Sequence, residues 1–195
     1  MPIDSGRIEA AVTELLLAIG EDPSRAGLAT TPKRIAESYQ EYFAGLDADP
    51  VEHLRGATEL DAESALGEVV VLRDIEFRSV CEHHLLPFTG VVHLAYVPGS
   101  RIVGLGKLPR VVETLSSRPQ LQERLTEQIA DALVEGLEPR GVLVVLDARH
   151  GCVTSRGVRQ AGSTTVTLAS RGTLSNPAER AETMALIGLS TGAAS

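Results

Sequence analysis

Cysteine and histidine are scarce in this chain, with 2 cysteines and 5 histidines. Three of those residues fall within Cys81-Glu82-His83-His84, at the start of the block CEHHLLPFTG. Cys81-x-x-His84 is a metal-ligand spacing, because a turn or helix start aims both side chains at one point. The other cysteine, Cys152, stands in ARHGCV, directly after an apolar run that ends near Asp147. Cys81, His84 and Cys152 together make a Cys₂His set for zinc with the fourth position open. Structural zinc sites are closed by four protein ligands, whereas catalytic ones keep a place for water. Zinc lowers the pKa of such a water from about 16 toward about 7. Buried cysteines are more often inert core residues, but here each has a histidine at hand, His83 and His84 beside one and His150 beside the other. With His84 on the metal, His83 and His150 are left as proton carriers that titrate near neutrality.

Such a centre needs elements to hold it. RIEAAVTELLLAIG and TPKRIAESYQEYFAGL read as amphipathic helices, the second with Thr31 as its cap, Pro32 in its first turn and Gly45 as its stop. Residues 46–66 read as a connection. EVVVLRDIEF, GVVHLAYV, GVLVVLDA and STTVTLAS read as strands, and RIVGLG as a short extended piece. KLPRVVETLSS and PQLQERLTEQIADALVEGL are consecutive helical patterns, and Asn176-Pro177 opens a last short helix. The order αα, ββ, αα, ββ, α, with strands in hairpin-like pairs, predicts an α+β fold and not a doubly wound parallel sheet.

Composition narrows the function classes. A chain of 195 residues is one domain, or one domain with an appended arm. Hydrophobic residues make up 43% and aromatics only 3%, so a folded chain must have an aliphatic core. No apolar run approaches the roughly 18 residues of a membrane span, and no signal peptide is legible, which predicts a cytoplasmic protein with unpaired thiols. A net charge of −8 argues against nucleic acid as a partner. One stretch runs against that balance: Arg149 to Arg159 carries three arginines and a histidine with no acid, which suits a small anion.

CEHHLLPFTG, RPQLQERLTEQIADAL and ARHGCVTSRGV resemble the three signature blocks of the GTP cyclohydrolase I family, in the same order and near the same spacing. The similarity runs from about Thr30 to Leu168. It implies a tunnelling fold, in which antiparallel sheets from several subunits close into a barrel. Pentamers would stack face to face into decamers, with active sites at subunit interfaces. On this reading residues 1–66 are a helical arm and connector, and residues 67–195 are the catalytic domain.

The resemblance also implies roles. Cys81, His84 and Cys152 hold zinc, and hydrolysis begins at C8 of the guanine of GTP. His150 protonates N7 and His83 assists the same step. The ring opens to a formamide, formate leaves, and the ribose rearranges and closes to 7,8-dihydroneopterin triphosphate. Glu123 matches the family's guanine-reading carboxylate, with Gln122 beside it. A carboxylate accepts from guanine N1–H and N2–H₂ together, whereas adenine would leave buried groups unpaired. Lys107, Arg110 and Arg156 match phosphate contacts, joined by Arg34 from the second helix; arginine brings a two-point fork and lysine a point charge. Taken singly, a helical Glu or a lone Lys or Arg is ordinarily a solvated charge, and the motifs are what single these out. Arg149, Arg159, His53 and His93 receive no role.

The chain departs from the family in places. Gly106, in GLGK, stands where the family usually has serine, Glu37 sits where some members carry lysine, and the C-terminus is apolar and Ala-rich. These changes spare the zinc and guanine residues and bear on the ribose and phosphate end. Two alternatives stand beside the cyclohydrolase. One is a relative that releases an earlier ring-opened product or prefers another guanine nucleotide. The other is a zinc-stabilised nucleotide-binding module, against which the retention of both His83 and His150 counts.

Overall fold

The computed structural model describes residues 2–60 and 67–188. The N-terminal patterns become two packed helices, α1 (Ser5–Ala18) and α2 (Thr31–Tyr42), with Val12 and Leu16 of α1 and Ala36 of α2 buried. Asp4 opens α1 by accepting from the Arg7 N–H at 3.0 Å. The cap position of α2 is Thr30, one residue earlier than expected, and Pro32 sits in the first turn, where its missing N–H leaves no bond unmade. Gly45 lies beyond the end of α2 for a different reason than stopping it. A Cβ there would collide with the Thr114 carbonyl, against which this stretch of chain packs. Residues 46–60, expected as plain connection, carry a 3₁₀ turn at Pro50–Leu54 that buries Leu54, and then the two-residue strand β1 (Thr58–Glu59). Residues 61–66, the rest of that connection, and the Ala-rich C-terminus lie outside the described residues.

The main sheet runs through β2 (Val70–Cys81) and β3 (Pro87–Val97). After β3, β4 (Arg101–Ile102) pairs with β1, and α3 (Lys107–Ser116) leads back along the sheet. Then come β5 (Pro119–Gln120), α4 (Gln122–Leu137), β6 (Gly141–His150), the one-turn helix α5 (Gly151–Thr154), β7 (Thr165–Gly172) and α6 (Pro177–Gly188). The strand order is β5-β2-β3-β6-β7. All neighbours are antiparallel except β5, which adds two parallel pairs to β2 at Val80 and Cys81. The fold is α+β, as the element order predicted.

The core explains which patterns were readable. On α4, Leu125, Ile129, Leu133 and Leu137 are fully buried at helical spacing, each stabilising by roughly 1.5–3 kcal/mol on leaving water. β6 reads as an unbroken apolar run because both of its faces are covered. Val142, Val144 and Leu146 lie in the core with α3 and α4, while Leu143 and Val145 lie in a second cluster with Ile187 of α6. β2 runs four residues past the expected EVVVLRDIEF, to Cys81. The β2–β3 and β3–β6 registers bring Val80 opposite Pro87 and Phe88 opposite His150. Cys81 and His150 therefore reach the same end of the sheet. Among the described residues, no helix is long and apolar enough to cross a membrane.

Candidate metal centre and active site

Cys81 closes β2, and the chain folds back at once. The His84 and Leu85 N–H groups both donate to the Cys81 carbonyl, at 3.4 and 2.9 Å, and the Cys81 N–H donates to the Leu86 carbonyl at 2.9 Å. Leu85 must take φ 51° to make this turn, the left-handed region that a non-glycine residue holds only under local constraint. The result sets His84 Nδ1 3.9 Å from Cys81 Sγ. Cys152 arrives on α5, straight after β6. Gly151 permits the close approach, since a Cβ there would stand 2.7 Å from the Pro87 carbonyl oxygen.

One ligand atom from each of Cys81, His84 and Cys152 lies within 4.8 Å of the others, and both cysteines are free. Burial pushes the Cys152 thiol up, and Cys81 beside it adds to that. A divalent cation reverses this preference by binding the sulfurs as thiolates. Two soft sulfurs and an imidazole this close fit zinc, whose bonds to sulfur and nitrogen are about 2.3 and 2.0–2.1 Å. Among the described residues the cluster has only these three members, so a zinc ion held here would have a fourth position left for a small molecule.

His150, the last residue of β6, lies flat on Phe88 with ring centroids 4.6 Å apart and planes 4° apart. Its Nε2 is 2.7 Å from Gln122 Oε1. Gln122 is buried, and its amide nitrogen donates to the Thr165 carbonyl at 2.8 Å, to Thr167 Oγ1 at 3.1 Å and to the Leu146 carbonyl at 3.3 Å. The amide oxygen therefore faces the imidazole, and neutral His150 carries its proton on Nε2. Burial lowers the His150 pKa, with the Glu123 carboxylate opposing it. Gln122, expected beside Glu123 as a substrate contact, is buried with its amide oxygen on His150. Glu123 is exposed in the first turn of α4. His83 is exposed, its ring 6.1 Å from that of His84 and nearly edge-on. Arg156 is exposed just past α5, near enough for its charge to favour the Cys152 thiolate.

These residues converge in a chain whose residues 8–188 match the family model described as GTP cyclohydrolase I. The chain belongs to the GTP cyclohydrolase I family. It is 60% identical to the GTP cyclohydrolase 1 of Leifsonia xyli over 185 residues, which cover 95% of this chain and 96% of that one. It is 55% identical to the GTP cyclohydrolase 1 of Carboxydothermus hydrogenoformans, over 95% of this chain and 96% of the relative. With that of Halalkalibacterium halodurans the identity is 53%, over 95% and 97%.

Some residues that the GTP cyclohydrolase I motifs single out lie elsewhere in the fold. The end of α3 leads into Arg118, whose carbonyl accepts from Ser79 Oγ at 3.2 Å, and then into β5 beside Cys81. Lys107 stands at the start of that ten-residue helix, about 15 Å of helix away. There its ammonium donates to the Arg55 carbonyl at 2.9 Å. Arg110 is exposed one turn further along α3, and Arg34 is exposed in the first turn of α2. Gly106, before α3, has ordinary right-handed backbone and open space where a Cβ would be, so the position itself would admit serine. One chain thus gathers the metal, histidine and carboxylate residues at one end of the sheet and sets Lys107 and Arg110 apart from them.

Two supports of the site were not singled out from the sequence. Phe88, under His150, stands within CEHHLLPFTG and could have been flagged as the aromatic of that block. The other is an ion pair between Glu82 and Arg124, in which the guanidinium holds the Glu82 carboxyl below the usual carboxylate range.

Proposed function

We propose that this chain is a zinc-dependent GTP cyclohydrolase I, which hydrolyses GTP at C8, releases formate and forms 7,8-dihydroneopterin triphosphate. The observation that carries this reading is the convergence of Cys81, His84 and Cys152 with His150 and Glu123 at one end of the sheet. Zinc held by the three ligands would supply a Lewis acid and an activated water at neutral pH. Glu123 accepts from guanine N1–H and N2–H₂ and so sets the base. His150, pinned through Nε2–H by Gln122 and from below by Phe88, presents Nδ1 to the reacting ring. Only as the imidazolium, with Nδ1 protonated as well, does it donate that proton to N7 and return to the neutral form. His83, on the exposed face of the ligand turn, assists the same hydrolysis. Arg156 meets the phosphates from this end.

Lys107, Arg110 and Arg34 serve the triphosphate of a site completed by a neighbouring copy. The placement of Lys107 at the far end of α3 from the metal centre supports that arrangement. So does the outer edge of β7, which ends the sheet with Val166 and Leu168 exposed. A decamer of two pentamers, with residues 1–66 as an outer arm and residues 67–195 as the catalytic body, is the assembly this reading favours. Free thiols at the metal site agree with a reducing cytoplasmic setting.

The test is incubation of the purified protein with GTP, followed by measurement of formate and of pterin fluorescence after oxidation. Equal amounts of both, lost on chelation and regained with zinc, are expected. A nucleotide left intact by fully metallated protein would overturn the proposal.

A further inference from the structure

The residues adjoining the functional ones make a pair of their own. Glu82 stands between Cys81 and His83, and Arg124 follows Glu123 on α4. The Arg124 guanidinium meets both oxygens of the Glu82 carboxylate, Nη1 to Oε2 at 2.6 Å and Nη2 to Oε1 at 3.2 Å. Such two-point contacts fix orientation as well as distance. The same turn has a backbone tie, the Glu82 N–H donating to the Gln120 carbonyl at 3.1 Å, beside the pairing of Cys81 with Gln120. With side chains 30% and 46% exposed, a pair of this kind contributes little to folding. Its location is what distinguishes it. One end is built into the turn that carries Cys81, His83 and His84, and the other into the helical turn that carries Gln122 and Glu123.

We infer that Glu82 and Arg124 are positioning residues, whose two-point contact sets the distance between the metal-ligand turn and the carboxylate that reads guanine. The inference rests on the proposed function, in which Glu123 holds the base while C8 is opened beside the metal. Neither residue touches the nucleotide in this scheme. Each holds a segment whose neighbouring residue does. Without the pair, the ligand turn keeps its internal hydrogen bonds, its metal and its backbone tie to Gln120, but it loses the side-chain contact that fixes its placement against the turn of α4 carrying Glu123.

The test uses the zinc-loaded oligomer as Glu82→Gln, Arg124→Gln and the double variant, with Arg124→Lys as a variant that keeps charge but loses the fork. Metal content and the absorption spectrum of the cobalt-substituted forms report the ligand set independently of activity. All variants should keep full metal content and the wild-type cobalt spectrum. For formate release from GTP, KM should stay within about threefold of wild type while the loss falls on kcat. Each single variant should lose about 10²-fold in kcat, the order expected for a misplacement of about 1 Å. The double variant should be no worse than the singles, because either change removes the same constraint. Arg124→Lys should fall with the singles. Unchanged kcat in the singles, losses that multiply in the double, full activity in Arg124→Lys or loss of metal would each overturn the inference. Wild-type protein that releases no formate would sink the proposed function itself, whereas active wild type with unaffected variants sinks this inference alone.

Discussion

At His150 the surroundings, not the residue type, choose the proton's place. Gln122 cannot turn its amide without facing two carbonyl oxygens with a third, so Nε2 of His150 stays the donor and Nδ1 stays available. Replacing His150 or His83 by alanine should cut formate release by about 10²–10⁴-fold, the usual contribution of a general acid or base. Zinc content, measured on the same samples, should stay at the wild-type level, because neither side chain belongs to the ligand cluster. Loss of metal in either variant would assign that histidine to the metal instead. Glu123→Ala should leave folding intact, since the carboxylate is exposed, and should abolish the preference for GTP over ATP. A guanine left without its acceptor costs about 1–3 kcal/mol. Titration calorimetry with both nucleotides checks this, and an undiminished preference would place base reading elsewhere. The ligands were legible because cysteine and histidine are rare and their spacing is chemical. Gln122 was singled out beside Glu123, but its hold on His150 was not legible, because its other partners lie on β6 and β7 and only the tertiary fold brings them to it.

At the scale of elements, β2 carries an irregularity that ties a histidine to backbone. The register with β3 shifts between Leu72 and Ile75, Asp74 takes φ 57°, and its N–H donates to His93 Nδ1 at 3.2 Å. Burial lowers the His93 pKa. Arg73 acts in the same direction, and the Asp74 and Asp147 carboxylates oppose it without winning. The unfolded chain takes up this proton near pH 6.5, before the folded chain does. The contribution is therefore complete above about pH 6.5 and is lost as pH falls through the lower folded value. Wild type should lose more stability between about pH 7.5 and about pH 5 than His93→Gln does, as read by thermal melts at each pH. Parallel curves for the two proteins would contradict this. The elements themselves were unevenly legible. α4 and β6 declared themselves because burial follows a single rule along each, one stripe for the helix and both faces for the strand. β2 hid its last residues because Arg78 and Ser79 break the apolar run just where it approaches the metal turn. The pairing of β5 was invisible in two residues that include a proline. The 3₁₀ turn at Pro50–Leu54 passed for connection because its value lies in one leucine seated against α4, where Gly136 leaves room.

On the scale of the whole molecule, the chain separates what one GTP would need. The metal ligands, His150 and Glu123 share one end of the sheet, and Lys107 stands a helix length away. On the proposed reading, a complete site takes its metal centre from one copy and its α3 cations from another. A mixing experiment tests it most directly. Chains carrying Cys152→Ala and chains carrying Lys107→Ala with Arg110→Ala should each be inactive as pure oligomers. Dissociated, mixed and reassembled with zinc, they should form hybrids in which some sites combine an intact metal half with an intact cation half. Formate release from GTP should then return in the mixture. Hybrids shown by mass to contain both chains, yet as inactive as either parent, would contradict the account.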